Sequence, residues 1–174
     1  MQARSPDQLS PIQVRGDRTV VRPATHADAA RLVAWHADPE VSRYWDDDQL
    51  TNDEIVALLQ SPTIDPYIVE VDQRPIGYLQ AWFDDPSPGV CGLDMFLIPA
   101  ARGVGLGPDA ARALAEHLLA SGQTRVTVDP YQWNAGAVRA WTRAGFREVE
   151  RREPDDEHRE PWVLMVYADE RGRT

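Results

Sequence analysis

The sequence predicts an α+β fold: a mixed, mostly antiparallel central sheet flanked by helices. Three observations carry that expectation. Residues 67–71, 75–83 and 90–98 are apolar-rich runs joined by connections too short for a crossover, so they form an antiparallel meander. A glycine-rich loop at 102–107 and a helical pattern at 108–120 lead to a strand at 125–128, which makes one βαβ crossover. Residues 146–153 and 162–167 then read as a closing antiparallel pair.

Taken in order, residues 12–22 alternate loosely around Arg15-Gly16-Asp17-Arg18 and read as a strand or a short hairpin. Thr25 has the character of an N-cap, with Asp28 three residues on. Ala29, Leu32, Val33 and His36 follow at helical spacing, which predicts a helix over 26–37. Asp38-Pro39 breaks it, and a short helical turn or loop runs over 39–45 to Tyr44-Trp45, just before Asp46-Asp47-Asp48. Those two aromatics read either as a core plug or as the wall and rim of a site for a cationic ligand. Thr51 and Glu54 form a second capping box, and Ile55, Leu58 and Leu59 give the following helix its apolar face, up to Pro62. Asp72-Gln73-Arg74 turns the chain between the first two meander strands. Ser121-Gly122 ends the crossover helix, and a last helix over 134–144 closes at Gly145. Residues 1–10 are expected to be a flexible N-terminus, 11–170 a single domain and 171–174 a flexible tail.

The chain of 174 residues is 43% hydrophobic, enough for one sizeable core. It has no run of about 18 apolar residues and no apolar segment at its start, so neither a membrane partner nor a secretory signal is expected. Its one cysteine, Cys91, rules out an internal disulfide, fits a reducing cytoplasm and reads as a buried small residue. A net charge of −10 argues against nucleic acid as the main partner. The acidic clusters at 46–48, 84–85 and 155–157 serve solubility or draw a cationic substrate into a cleft. His26, His36, His117 and His158 are scattered without a Cys partner or a repeated spacing, so no metal site is expected. The protein is expected to be a monomer or a homodimer.

Two features carry chemistry. Arg102-Gly103-Val104-Gly105-Leu106-Gly107-Pro108 lies between a strand and a helix. Three glycines in five residues let backbone amides face an anion, and the helix N-terminus adds partial positive charge. No Gly-Lys-[Ser/Thr] follows, and Pro108 stands where a dinucleotide fingerprint needs glycine, so neither phosphate motif applies. The second feature is Asp94. Alternation puts Leu93, Met95 and Leu97 on one face of the strand and Asp94, Phe96 and Ile98 on the other. A single carboxylate on an apolar face is costly unless it is paired or opens into a cleft. Beside an attacking amine it can take up the proton that the aliphatic ammonium must lose.

Arg-x-x-Gly-x-Gly at a strand-to-helix junction resembles the pyrophosphate loop of the GNAT acyl-CoA N-acyltransferases, and the element order is similar over roughly residues 18–168. A narrower series is similar to the aminoglycoside 6′-N-acetyltransferases: Pro66-Tyr67-Ile68, Pro75-Ile76-Gly77-Tyr78-Leu79-Gln80, Gly92-Leu93-Asp94, Asp129-Pro130 before Asn134, and Ala144-Gly145-Phe146. Siderophore-pathway N-acyltransferases share much of this framework but tend to carry histidine at the position of Asp94. The resemblance implies a GNAT fold that binds acetyl-CoA and acetylates an aminoglycoside or another polyamine. Met95, Phe96 and Leu97 would lie along the pantetheine arm, residues 102–108 would hold the pyrophosphate, and Asn134 would bond the arm. Asp94 would be the catalytic carboxylate. Asp129, Trp45 and Asp155 in its acidic loop would contact the acceptor. Many of these enzymes carry a tyrosine near the thioester sulfur on the last helix, and here Trp141 takes that position. An indole cannot act as an acid at neutral pH, so water or Tyr131 would protonate the thiolate. Two alternatives remain open: a siderophore-pathway or other metabolic N-acyltransferase, and a non-catalytic acyl-CoA or cation-binding module.

Overall fold

The computed structural model describes residues 11–45, 49–83 and 87–168. The expectations for the two termini and for the acidic runs at 46–48 and 84–85 fall outside those residues. Strands β1 (Val14–Arg15), β2 (Val20–Pro23), β3 (Ile64–Val71), β4 (Arg74–Trp82), β5 (Val90–Leu97), β6 (Arg125–Val128), β7 (Phe146–Arg152) and β8 (Trp162–Tyr167) form one sheet. Its order is β1-β2-β3-β4-β5-β6-β8-β7. All neighbours are antiparallel except β5 and β6, which the crossover makes parallel.

The opening hairpin, the meander and the closing pair stand where the sequence puts them. The β3–β4 turn is a two-residue one: Asp72 and Gln73 both have positive φ (49° and 62°), as a hairpin that follows the strand twist requires. Strand β3 begins three residues before the expected 67, running through Asp65-Pro66. Proline is tolerated there because β2 ends at Pro23, opposite Tyr67. The Pro66 carbonyl accepts from Ala24 N–H beyond that last rung, so the missing donor costs nothing.

Helices α1 (Ala29–His36), α2 (Pro39–Ser42) and α3 (Asn52–Leu59) cover one face of the sheet. The expected first helix divides, with a 3₁₀ turn at His26–Asp28 ahead of α1. Asp28 accepts from Thr25 N–H and from Arg22 and Arg31. Burial raises its pKa, but these bonds, Arg22's foremost, outweigh that and hold the carboxyl at about 2. The Thr51–Glu54 capping box forms as expected. Leu32, Ile55, Ile68, Tyr78 and Phe96 pack between these helices and the sheet.

Helices α4 (Leu106–Ala120) and α5 (Ala135–Ala144) cover the other face over the main core, which includes Leu93, Leu97, Leu114, Val126 and Phe146. Helix α4 starts at Leu106, two residues before the expected point. Pro108 therefore sits in its first turn, where an absent N–H is harmless. Asn134 caps α5, its Oδ1 accepting from Ala137 N–H at 3.1 Å, and Gly145 ends the helix in the left-handed region. Cys91 is fully buried and burial pushes its thiol up to about 12, so it packs rather than reacts.

Candidate active site

The site exists because β5 and β6 part. Their ladder runs only from Val90, Cys91 and Gly92 to Arg125, Val126 and Thr127. One residue past β6 the chain meets Asp129-Pro130, and Pro130 has no N–H with which to continue the ladder. The second half of β5 is thus bonded to β4 alone. Ile98 N–H donates to the Ile76 carbonyl, so by alternation Phe96 and Asp94 point their backbone groups at β4. Those of Met95 and Leu97 point away into the gap, and the Leu97 carbonyl is met there by Arg102 Nε at 2.9 Å.

Two clefts of about 360 Å³ each open on this gap and share Tyr44, Met95, Asn134, Ala137 and Trp141. The first also takes in Phe96, Leu97, Arg102, Gly103, Gly105, Gly107, Pro108, Arg139 and Arg143. Gly105 is the N-cap of α4 at φ 87°, a left-handed conformation in which a side chain would be strained. The loop is fixed from both sides. Arg18 donates to the Val104 carbonyl at 2.6 Å, and Arg102 Nη2 donates to the Glu40 carbonyl at 2.8 Å. Asp109, in the first turn of α4, accepts from the N–H groups of Asp17, Arg18 and Thr19 and from the Thr19 hydroxyl. Burial pushes its pKa up, but those bonds prevail and hold the carboxyl below its usual range.

The second cleft is lined by Trp45, Gln80, Trp82, Leu93, Asp94, Asp129, Pro130, Tyr131, Glu157 and His158 besides the shared residues. Asp94 is half-buried and lies directly across from Gln80 on β4. Burial above all, and the charge of Asp94 next, keep the Tyr78 phenol protonated well above its ordinary pKa. Tyr78 donates to Gln80 Oε1 at 2.7 Å, and Gln80 Nε2 donates to Asp94 Oδ2 at 2.8 Å. This relay fixes the orientation of the carboxylate without neutralising it. The Trp82 ring packs against Gly92, where a Cβ would come within 1.9 Å of it.

Most of the residues singled out in the sequence meet here, with differences. Leu106 turns into the core, Val104 is exposed, and neither lines the first cleft. Arg102 has its guanidinium on two backbone carbonyls and so acts as a brace for the loop. Trp45 packs edge-on against Phe96 and Tyr78 and also lines the second cleft. Trp141 is nearly buried against Phe146 at the wall common to the two clefts. Tyr131 lines only the second of them. Asp155 stands behind the lining. Its carboxylate meets His158 Nδ1 at 2.9 Å and Trp162 Nε1 at 3.2 Å, while His158 Nε2 meets Asp129 Oδ2 at 3.1 Å.

Sequence reasoning missed Arg18, Asp109, Arg139, Arg143 and His158. For Arg139 and Arg143 a signal was present, since they stand at i, i+4 on α5. The others act through partners distant in the chain. Among the described residues no cluster of His, Cys, Asp and Glu could hold a metal ion, and no helix is long and apolar enough to cross a membrane.

Residues 24–153 match the family model described as an acetyltransferase (GNAT) domain. An aminoglycoside N(6′)-acetyltransferase type 1 of Klebsiella pneumoniae is 29% identical over 172 residues, covering 87% of this chain and 84% of that protein. A kanamycin resistance protein of Rhizobium radiobacter is 39% identical over 90 residues, half of this chain and 80% of that one. Among solved structures, AAC(6′)-Ib in complex with paromomycin and acetyl-CoA superposes with a TM-score of 0.78 at 29% identity, over 91% of this chain and 99% of that one.

Proposed function

The chain belongs to the GNAT acetyltransferase family, and from that membership we propose an acetyl-CoA-dependent N-acetyltransferase acting on a polycationic small molecule, foremost the 6′-amine of an aminoglycoside. The observation that carries this reading is the separation of charge across the shared wall. Among the described residues, the first cleft is lined by Arg102, Arg139 and Arg143 and by no carboxylate. The second is lined by Asp94, Asp129 and Glu157 and by no arginine. An anionic acyl donor and a cationic acceptor would each find the complementary half. The names of the relatives, an aminoglycoside acetyltransferase and a kanamycin resistance protein, support the choice of acceptor.

In this reading the glycine loop and the α4 N-terminus hold the pyrophosphate. The outward backbone groups of Met95 and Leu97 pair with the pantetheine arm as an added strand would. Asp94 receives the acceptor ammonium and takes its proton. The freed nitrogen forms a bond to the acetyl carbon, and the carbon–sulfur bond breaks with its electron pair on sulfur. Trp141 can donate a hydrogen bond to the sulfur but no proton. The thiolate, with an ordinary pKa of about 8.5, leaves as the anion, and the second proton that the nitrogen sheds on becoming an amide reaches it through water. Acetylation removes one positive charge from the acceptor, a physical basis for inactivating a drug that binds through its charges.

A thiol-release screen tests this, with acetyl-CoA as donor and kanamycin, tobramycin, spermidine and a simple diamine as acceptors. Release is expected with the aminoglycosides. Turnover confined to simple polyamines would move the acceptor class. Acetyl-CoA binding without release for any amine would leave a non-catalytic binder.

A further inference from the structure

His158 lies between two carboxylates on the lining of the second cleft. It comes from the loop between β7 and β8, and both of its ring nitrogens face carboxylates: Nδ1 faces Asp155 at 2.9 Å and Nε2 faces Asp129 at 3.1 Å. A neutral imidazole has one donor and one acceptor nitrogen, so one contact would set a lone pair against a carboxylate oxygen. Only the imidazolium satisfies both contacts. Its surroundings hold it in place. The ring lies flat on Trp162, with centroids 4.1 Å apart and planes 15° apart, and meets Tyr131 edge-on. Asp155 also accepts from the backbone N–H groups of Glu157 and His158, and Asp155 N–H donates to the His158 carbonyl, which closes the loop into a tight turn. Only 13% of the His158 side chain is exposed, yet His158, Asp129 and Glu157 all line the second cleft.

We propose that His158 is a specificity-determining residue of the acceptor cleft, a resident cation that occupies Asp129 and cancels one of the cleft's negative charges. The cleft thereby discriminates against acceptors that bring a further ammonium to Asp129. This rests on reading the second cleft as the acceptor site.

The test replaces His158 by Gln, which is neutral and still polar, and by Arg, which keeps the charge. KM and calorimetric Kd are measured for kanamycin and for a singly charged amine, together with the KM of acetyl-CoA. For His158→Gln, KM and Kd for kanamycin are expected to fall on the order of tenfold. The values for the monoamine and for acetyl-CoA should stay within about twofold, and His158→Arg should resemble the parent. A purely structural role would raise KM for every acceptor alike, and that result overturns the proposal. So does a Gln variant with unchanged affinity for kanamycin. Should the Gln variant fail to fold, nitrogen-15 NMR of the parent decides: both ring nitrogens of His158 must carry protons at pH 7, and a single-protonated ring sinks the idea. If the parent acetylates no amine and binds no kanamycin, the acceptor reading falls and takes this proposal with it. If the parent acetylates kanamycin but the variants show no charge-graded change, only this proposal falls.

Discussion

Asparagine at position 94 keeps an oxygen for the bond from Gln80 Nε2, so Asp94→Asn should preserve the relay from Tyr78 while removing the carboxylate proposed as the base. The expected result is a fall in kcat of about 10²- to 10³-fold with the KM of acetyl-CoA within about twofold. Steady-state kinetics over a pH series checks it, and unaffected turnover would mean that Asp94 is not the base. His158 makes a different prediction, about stability. Burial lowers its pKa, but the hydrogen bonds to Asp129 and Asp155 outweigh this and raise it to about 9. Its contribution is therefore complete below the ordinary histidine value of about 6.5 and is lost as pH rises through about 9. Asp155 is held down at about 2, chiefly by its bond to His158, so the same contact is lost at the acid end as pH falls from about 4 towards 2. The melting temperature should hold a plateau from about pH 4 to 6.5 and then drop by a few degrees as pH rises towards 9, a small effect because water screens the exposed Asp155. In His158→Gln the alkaline drop should be absent, and melting curves from pH 5 to 10 would reveal it if it persists.

At the level of elements, the glycine loop is built from outside as much as from its own residues. The hairpin between β1 and β2 reaches α4 through Asp109, and this brings Arg18 onto the Val104 carbonyl. Asp109→Ala removes four bonds and leaves three backbone N–H groups without their acceptor, which costs roughly 3 kcal/mol. Denaturant unfolding should show that loss, and the KM of acetyl-CoA should rise, because the hairpin no longer holds the loop. An unchanged KM in the folded variant would mean that the loop stands by itself. What the sequence disclosed follows the same division. The loop, the strand that carries Asp94 and the order of the elements along the chain were legible because their signals are local: glycine spacing, alternation and turn residues. Asp109 was not, since its partners lie about 90 positions away. Nor was the role of His158, which depends on Asp129 across 29 positions. Strand β3 was expected from 67, and it extends back through Pro66 because its neighbour β2 has already ended there. The gap between β5 and β6 could be anticipated only in outline, from a four-residue strand followed by Asp-Pro.

Across the whole molecule, two charge effects act on the two substrates in opposite senses. The net charge of −10 favours the approach of a polycation and opposes that of an anionic acyl donor. The arginines of the first cleft act at contact, over distances shorter than the Debye length of about 10 Å at 0.1 M salt, and so offset the repulsion locally. The attraction on the acceptor has no such compensation, because the second cleft has the same sign as the molecule. Added salt should therefore lower kcat/KM for an aminoglycoside, by about tenfold between 0.02 and 0.3 M sodium chloride. Over the same range kcat/KM for acetyl-CoA should stay level or rise slightly, since salt screens the distant repulsion more than the close contacts. Initial rates with each substrate varied at saturation of the other separate the two. A parallel fall for both would show that the chain's overall charge has no part in bringing the acceptor in, and that salt acts on the fold or on a shared step instead. With opposite slopes, His158→Gln should steepen the aminoglycoside slope alone, because it uncovers one negative charge in the cleft proposed for the acceptor.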